Sequence, residues 1–439
     1  MRLEPLAIAA LAAAALTALP ARAQTEITWW HSMTGALGER VNEFADGFNA
    51  SQKDYKIVPV YKGSYPESMT AAIAAYRAGN APNIVQVFEV GTATMMSAKG
   101  AIKPVYQLMK ESGMKFDPKA YISAVALYYS DRHGNMLSLP FNSSTPVFYI
   151  NKDAFKKAGL DPEKAPKTWQ EFSAVAGKLK ASGQACVYTT GWPSWVHVEN
   201  YSAWHNLPIG TLENGIGGLD TKFVFNSPLH VKHIQRLVDY AKNGWFTYAG
   251  RKNEAEAKFF SGECAMLTSS SGAQANIRKN AKFAFSVNFL PYDAEIKGAP
   301  QNSIIGGATL WALGGKKPAE YKGVAQFFNY LSQPELQAKW HEATGYVPIT
   351  YAAAELVTKS GYYDKVPGAD IAVKQLNYKP PTANSKGLRF GNYVQGRDVI
   401  EEEIEAALAG KKSAQAAMDD AVKRGNEILR KFQATVKED

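Results

Sequence analysis

The stretch Leu139–Gly159 decides the fold, and it reads Leu-Pro-Phe-Asn-Ser-Ser-Thr-Pro-Val-Phe-Tyr-Ile-Asn-Lys-Asp-Ala-Phe-Lys-Lys-Ala-Gly. Pro140 and Pro146 disfavour a helix at the residues before them, and the Phe-Tyr-Ile run that follows is apolar and β-prone. Asn151 or Asp153 can cap a short helix, which the last glycine can end. The sequence therefore predicts an extended segment that leads directly into a helix.

Strands and helices alternate in the part of the chain before this stretch. Ile27–Trp30, Tyr55–Tyr61 and Ile84–Phe88 read as strands, and each is followed by a segment that reads as a helix. This order predicts a mainly parallel sheet covered by helices, with ligands bound beyond the carboxyl ends of the strands. Tyr65 and Glu89 each follow a strand closely, so we expect both at that rim.

Length and composition indicate two folded domains in an exported chain. The 439 residues exceed one ordinary core, and 46% hydrophobic with 20% charged residues is typical of globular proteins. Arg2, the apolar run 6–19 and Ala21-Arg22-Ala23 have the pattern of a cleaved secretory signal. The net charge of +9 is spread along the chain and forms no stripe typical of nucleic-acid binding. It fits either an anionic ligand or a solvated surface.

The cysteines and histidines leave two questions open. Cys186 and Cys264 each lie beside a strand-like run, and they can form a disulfide only if those strands are neighbours. His230 and His233 have a spacing that could hold a metal, but no carboxylate-rich set accompanies them, and a solvated helix face explains them better. The sequence contains no Gly-x-Ser-x-Gly or Walker A motif, so we expect neither catalysis nor a cofactor.

Several short motifs carry a family resemblance over essentially the whole chain after residue 23. They are Tyr149-Ile150-Asn151-Lys152-Asp153, Ala158-Gly159-Leu160-Asp161-Pro162, Pro166-Lys167-Thr168-Trp169, Gly262-Glu263-Cys264-Ala265-Met266, Ile305-Gly306-Gly307 and Thr344-Gly345-Tyr346-Val347-Pro348-Ile349. With these motifs the chain resembles the extracellular solute-binding proteins of bacterial ABC importers. The resemblance implies an α/β fold of the two-lobe periplasmic binding protein type II, with a mainly parallel sheet in each lobe.

The resemblance also implies how the chain divides. Residues 1–23 would be the signal peptide, and residues 24–142 with 304–345 would form the first lobe. Residues 143–303 with 346–439 would form the second lobe and the C-terminal helices. Hinge crossings near Asn142–Thr145 and Ile304–Gly306 would join the two discontinuous lobes, which would close around a ligand.

Further motifs narrow the resemblance within the family. They are Trp30-His31-Ser32-Met33, Tyr61-Lys62-Gly63, Pro140-Phe141-Asn142-Ser143-Ser144-Thr145-Pro146 and Tyr248-Ala249-Gly250-Arg251-Lys252, and they are similar to members that bind sn-glycerol 3-phosphate. This similarity implies a monomeric periplasmic protein that delivers sn-glycerol 3-phosphate or glycerophosphodiesters, such as glycerophosphocholine, to a membrane permease with a cytoplasmic ATPase. By motif, the ligand-binding residues would be Tyr65, Glu89, Ser144, Ser270, Gly307, Tyr346 and Arg397. The resemblance adds Trp192 and Trp195, which fall in the segment that lines the cleft in this family.

The chemistry of this set divides into an anion end and a polyol end. Arg397 can meet phosphate oxygens in a bidentate fork, and the serine and tyrosine hydroxyls can donate to the same oxygens. Glu89 suits glycerol hydroxyls, and Trp192 and Trp195 would cover the carbon skeleton. The alternatives are a binding protein for a neutral oligosaccharide, an exported phosphodiester hydrolase, and a structural envelope protein.

Overall fold

The computed structural model describes residues 24–436, so the predicted signal peptide lies outside the described residues. Within the described residues, ten strands form two separate sheets. The strands are β1 (Thr25–His31), β2 (Tyr55–Tyr61), β3 (Ile84–Phe88), β4 (Ile102–Lys103), β5 (Leu139–Ser144), β6 (Pro146–Asn151), β7 (Cys186–Thr190), β8 (Cys264–Ser270), β9 (Phe285–Asn288) and β10 (Gly306–Leu313).

Each sheet is the centre of one lobe. The first has the order β2-β1-β3-β10-β4, and β5 also pairs with β10. The second has the order β7-β8-β6-β9. The predicted α/β fold with two lobes is confirmed, and the helices cover these sheets.

The expectation that each sheet is mainly parallel needs correction. In the first sheet β1 is parallel to β2 and β3, but β10 runs antiparallel to β3, β4 and β5. In the second sheet β7 is parallel to β8, whereas β6 is antiparallel to both β8 and β9. Both sheets are mixed because strands that begin or end at a crossing between the lobes are not delivered by a β-α-β connection, which would make them parallel.

The helices lie between these strands and dominate the second half of the chain. Those of six residues or more span Gly35–Ser51, Tyr65–Arg77, Thr92–Ser97, Val105–Glu111, Ser123–Tyr129, Lys152–Lys157, Trp169–Ala181, Pro228–Lys242, Glu254–Phe260, Gln274–Asn280, Pro318–Leu331, Pro334–Thr344, Tyr351–Lys359, Ile371–Leu376, Tyr393–Leu408 and Ala414–Thr435. Shorter helices are Tyr201–Trp204, Thr211–Asn214 and Tyr362–Lys365, and Trp195–Asn200 is a π-helical turn. Single 3-10 turns span Glu89–Gly91, Pro118–Ala120 and Ser271–Ala273. Among residues 24–436, no helix has the length and hydropathy that a membrane span requires.

Two crossings between the sheets lie side by side. β5 ends at Ser144 in the first sheet, and β6 begins at Pro146 in the second. Thr145, the residue between them, donates its hydroxyl to Ser303 Oγ at 2.7 Å and to the Ile304 carbonyl at 3.0 Å. The chain therefore changes sheets where the predicted hinges lie, while the lobe boundaries themselves stay a prediction.

Local capping fixes the two helices that follow the first crossing. The Asn151 side chain accepts from the backbone N–H groups of Asp153 and Ala154, both at 3.0 Å. Thr168 and Glu171 form a reciprocal capping box at the start of Trp169–Ala181. Of the two predicted caps, Asn151 is the one used, because its oxygen satisfies N–H groups that the first helical turn leaves unpaired.

Cys186 and Cys264 form a disulfide, which settles a pairing that the sequence left open. They face each other in register on the parallel neighbours β7 and β8. The bond joins two strands of the second lobe that are 78 residues apart in the chain. It therefore restricts the unfolded chain as well as the folded lobe.

The interpretation of His230 and His233 as a solvated helix face is wrong. Both imidazoles are buried, at 2% and 0% exposure, on the inner side of the helix Pro228–Lys242. His233 Nε2 lies 3.0 Å from His197 Nδ1, and the His233 ring stacks on Tyr201 at 3.9 Å. The helix places these rings against aromatic side chains, which sequence spacing alone does not show.

Candidate functional site

A cavity of about 140 Å³ lies between the two lobes, beyond the ends of β3, β5 and β8. Its walls come from both sheets and from both crossings. All nine residues predicted to bind a ligand line it: Tyr65, Glu89, Ser144, Trp192, Trp195, Ser270, Gly307, Tyr346 and Arg397. These residues are scattered over more than 300 positions of sequence, and the fold brings them to one place.

Tyr65 forms part of the first-lobe wall and is held from two sides. It is the first residue of the helix Tyr65–Arg77, whose start is fixed by a capping box of Ser64 and Glu67. Its ring stacks on Phe88 with centroids 5.3 Å apart. Its hydroxyl oxygen accepts from Asn142 Nδ2 at 3.0 Å, which fixes the position of the hydroxyl at the cavity wall.

Gly307 makes the crossing strand approach β5 closely. Its φ is +94°, and an added Cβ would lie 1.8 Å from the Asn142 carbonyl oxygen. Gly306, its neighbour, pairs with Ser144 of β5, and there a Cβ would lie 2.3 Å from the Trp195 ring. Only glycine fits both positions, and the absence of side chains leaves room for the cavity.

The second lobe contributes a tight turn at the end of β8. Ser270 Oγ accepts from the Gly272 backbone N–H at 3.1 Å, which holds the turn that starts the helix Gln274–Asn280. Gly272 itself lies against the Tyr346 ring, which a Cβ would meet at 2.6 Å. Tyr346 in turn stacks on Trp340 with centroids 5.6 Å apart and planes 2° apart.

Burial keeps the cavity tyrosines in their neutral form. It raises the pKa of both Tyr65 and Tyr346 well above the usual tyrosine range. Each hydroxyl therefore keeps its proton at any physiological pH. Two neutral hydroxyls are suited to donate hydrogen bonds to a phosphate or to a sugar oxygen.

The two tryptophans cover the cavity from the second lobe. Trp192 has a φ of +53° and is fixed by its backbone N–H, which donates to the Lys252 carbonyl at 2.9 Å. Its ring centroid lies 6.4 Å from that of Tyr65 across the cleft. Trp195 starts the π-helical turn, and its indole N–H is buried without a hydrogen-bond partner among residues 24–436.

Arg397 does not present the free bidentate fork that the sequence led us to expect. Its Nε and Nη2 donate to the two carboxylate oxygens of Glu199, each at 2.7 Å. Nη2 also donates to Glu89 Oε1 at 2.5 Å. Because two carboxylates already occupy that edge of the guanidinium, only Nη1 makes no hydrogen bond to the described residues.

Arg397, Glu89 and Glu199 form a buried triad of one base and two acids. This excess of acid shifts the pKa values of its members. Burial raises the pKa of Glu89, and Glu199 raises it further, against the opposing effect of Arg397. Burial alone would lower the pKa of Arg397, but Glu199 and Glu89 outweigh it and raise that pKa. Sequence reasoning missed Glu199, which lies in the π-helical turn with no motif of its own.

Two more charged residues of the cavity wall were not predicted. Lys252 donates from Nζ to Ser64 Oγ of the first lobe at 3.0 Å and forms no ion pair with the described residues. Glu256 is buried, and burial raises its pKa to about 7. A signal existed for Lys252, since it lies in the motif Tyr248–Lys252, but none existed for Glu256.

Comparison with known families and relatives gives consistent results. A family model described as "Bacterial extracellular solute-binding protein" matches residues 43–368. The sn-glycerol-3-phosphate-binding periplasmic protein UgpB of Pectobacterium atrosepticum is 56% identical over 430 residues, which cover 98% of this chain and 97% of the relative. The alignment therefore covers almost the full length of both chains.

Solved structures resemble the fold as a whole. UgpB from Mycobacterium tuberculosis, in complex with glycerophosphocholine, has a TM-score of 0.76 at 21% identity and covers 93% of this chain and 99% of its own. The cyclic alpha-maltosyl-1,6-maltose binding protein from Arthrobacter globiformis has a TM-score of 0.70 at 22% identity, covering 93% and 100%. Since these two proteins bind different ligands, the structural similarity establishes the fold only. The ligand has to be inferred from the residues of the cavity.

Proposed function

Because this chain belongs to the family of bacterial extracellular solute-binding proteins, we propose that it captures sn-glycerol 3-phosphate and glycerophosphodiesters for an ABC importer. One observation carries the proposal. Nine residues chosen for that ligand from separate motifs line a single interlobe cavity. The family and the two-lobe fold that the sequence predicted are confirmed, and the ligand is supported by relatives that share more than half of their residues.

The phosphate would bind at the second-lobe turn. Ser270, Ser144 and Tyr346 offer hydroxyls around it, and the turn opens the helix Gln274–Asn280, whose N-terminus favours negative charge. Gly307 lets a phosphate oxygen approach the backbone. Because none of these groups carries a negative charge, none of them repels a phosphate oxygen.

The glycerol hydroxyls would bind at the triad. Glu89 can accept a hydrogen bond from one hydroxyl, and the free Nη1 of Arg397 can donate to the oxygen of another. This placement revises the role that the sequence suggested for Arg397, since its neutralised guanidinium is a better partner for alcohol than for phosphate. Trp192 and Trp195 would enclose the carbon skeleton between these two ends.

Ligand binding would close the lobes. Contacts already span the cleft mouth: Lys279 Nζ lies 2.5 Å from Glu39 Oε1, and Asn276 Oδ1 accepts from the Ala36 N–H at 3.3 Å. A ligand that contacts both lobes only in this arrangement shifts the population toward it. Rotation at the paired crossings around Thr145 and Ile304 would provide the movement.

The partners follow from this role. We place the mature chain in the periplasm as a monomer that delivers its ligand to a membrane permease served by a cytoplasmic ATPase. It would bind its ligand without chemical turnover, as a solute-binding protein does. Neither a metal nor another cofactor enters the proposed role.

Calorimetric titration of the mature, ligand-stripped protein tests the proposal. Saturable binding of sn-glycerol 3-phosphate and of glycerophosphocholine, with no binding of glycerol, is the expected result. A maltose-type oligosaccharide is the matched rival ligand. Tight binding of the oligosaccharide with no response to phosphate esters would overturn the proposal, and so would hydrolysis of the diester during the titration.

The variant Ser270→Ala tests the phosphate end. It removes a hydroxyl from the cavity wall and from the turn at Gly272, so the affinity for both phosphate esters should fall about tenfold or more. Ser261→Ala is the control, because Ser261 is an exposed residue at the end of the helix Glu254–Phe260. Equal affinities of the two variants would remove Ser270 from the site.

A further inference from the structure

Glu256 is a cavity-lining carboxyl that no motif assigns to the ligand. It lies in the first turn of the helix Glu254–Phe260 and is 6% exposed. Its Oε1 accepts from the Ser269 hydroxyl at 3.1 Å. Its Oε2 accepts no hydrogen bond from residues 24–436, and the carboxyl forms no ion pair in that range. One oxygen is therefore left for whatever fills the cavity.

The charge balance of the cavity makes an ionised Glu256 unfavourable beside an anion. Glu89 and Glu199 outnumber Arg397, which they bind, and Lys252 is the other cation among the described residues of the wall. These four charges cancel, so an ionised Glu256 would leave the site negative. A phosphate ester adds one or two negative charges in a poorly solvated space, where repulsion between like charges is strong.

We propose that Glu256 is a ligand-binding residue that acts in its neutral form. Its Oε2–H donates a hydrogen bond to a phosphate oxygen, and capture of the ligand takes up a proton from solvent whenever the free carboxyl is ionised. This inference rests on the proposed function, since it needs a phosphate beside Glu256, which lines the same cavity as Ser270, accepts from the adjacent Ser269 and interacts electrostatically with Tyr346.

The groups around Glu256 agree with a neutral carboxyl near pH 7. Burial raises its pKa to about 7, although the hydrogen bond from Ser269 lowers the pKa, and Glu254 on the same helix adds a smaller rise. Tyr149 on β6 and Tyr346 also face it, and the burial of both keeps them uncharged. Arg278 on the neighbouring helix is engaged by Gln274 Oε1 at 2.7 Å and by the Glu342 carbonyl at 3.0 Å.

The protonation state of Glu256 would also affect the relative affinity for glycerophosphodiesters and for sn-glycerol 3-phosphate. A glycerophosphodiester carries one negative charge, whereas sn-glycerol 3-phosphate carries nearly two above its second pKa of about 6. When Glu256 is ionised, its repulsion of the phosphate lowers the affinity for the doubly charged monoester more than the affinity for the singly charged diester. The preference for diesters should therefore grow once the pH exceeds the pKa of Glu256 in the diester complex, because the diester then still binds while the monoester continues to lose affinity.

Calorimetry in paired buffers of different ionisation enthalpy tests the proposal on the mature chain. Glycerophosphocholine is the decisive ligand, because it has no group that titrates near neutrality, and any proton uptake belongs to the protein. Above pH 7 we expect uptake that approaches one proton per ligand and an affinity that falls about tenfold per pH unit. No uptake by the wild-type protein would overturn the proposal without any variant.

Glu256→Gln keeps a donor at the same position but cannot ionise. Its affinity should stay level across this pH range, and its proton uptake should vanish. Glu401→Gln is the matched control, because Glu401 is also buried with a pKa raised to about 7 but does not line the cavity. Proton uptake that persists in Glu256→Gln, or vanishes in Glu401→Gln instead, would refute the assignment. Absence of any phosphate-ester binding would refute the proposed function itself.

Discussion

Single side chains in the cavity have structural as well as binding roles, and Arg397 shows this best. It is 7% exposed and forms ion pairs with both Glu89 and Glu199. Arg397→Ala would leave two buried carboxylates without a cation, which costs about 3–5 kcal/mol of unfolding free energy. Urea unfolding of the variant should show this loss together with loss of ligand affinity.

Arg251→Ala is the control for that experiment. Arg251 also binds a carboxylate, Glu405, at 2.6 Å, but both side chains are about one-third exposed. Solvent weakens that pair, so its removal should cost about 1 kcal/mol or less. Equal losses in the two variants would contradict the importance of the buried triad.

Gly307 offers a second test at the scale of one residue. Gly307→Ala combines a left-handed backbone, φ +94°, with a Cβ that would lie 1.8 Å from the Asn142 carbonyl. Gly315→Ala shares the left-handed backbone, φ +77°, but has no atom within 4 Å of the added Cβ. The control should lose about 1–2 kcal/mol. The Gly307 variant should lose clearly more and bind ligand weakly, as thermal unfolding and titration would show.

The sequence predicted individual elements well because their signals are local. The cap at Asn151 and the strands Tyr55–Tyr61 and Ile84–Phe88 depend on residues that are close together in the sequence. The nine cavity residues were assigned through the family resemblance, and strand order by itself placed only Tyr65 and Glu89 at the rim. Contacts between distant segments could not be predicted. The ion pair between Glu199 and Arg397 joins residues 198 positions apart, and no local sequence pattern indicates it.

At the scale of one pair of strands, the disulfide should carry a measurable share of stability. Reduction, or the double variant Cys186→Ser with Cys264→Ser, should cost about 2–4 kcal/mol of unfolding free energy, because the open chain gains entropy. Urea unfolding with and without a reductant checks this. A reductant should change nothing in the double variant, and a shift there would point to another effect.

The molecule as a whole should be sensitive to acid through its buried histidines. Burial lowers the pKa of His197 to about 3 and that of His205 and His230 to about 4, while unfolded histidine titrates near 6.5. The unfolded state therefore binds protons first, and stability is lost as the pH falls from about 6.5 toward 4. The slope reaches at most about 1.4 kcal/mol per pH unit for each histidine.

Urea unfolding over that pH range measures the slope. His230→Gln should reduce it, because one proton fewer is taken up on unfolding. His133→Gln is the control, since His133 is exposed in a surface turn. A slope that does not change in the His230 variant would remove this histidine from the acid response.

The arrangement of strands also decides when the molecule can fold. β10 pairs with β3 across more than two hundred residues of chain, and it lies inside the first sheet. A chain that emerges N-terminus first exposes the unpaired edge of β3 until Gly306–Leu313 arrives, and such long-range pairing is slow. The first sheet therefore cannot be completed until Gly306–Leu313, in the last third of the chain, has emerged, and this delay would suit the exported protein that we propose.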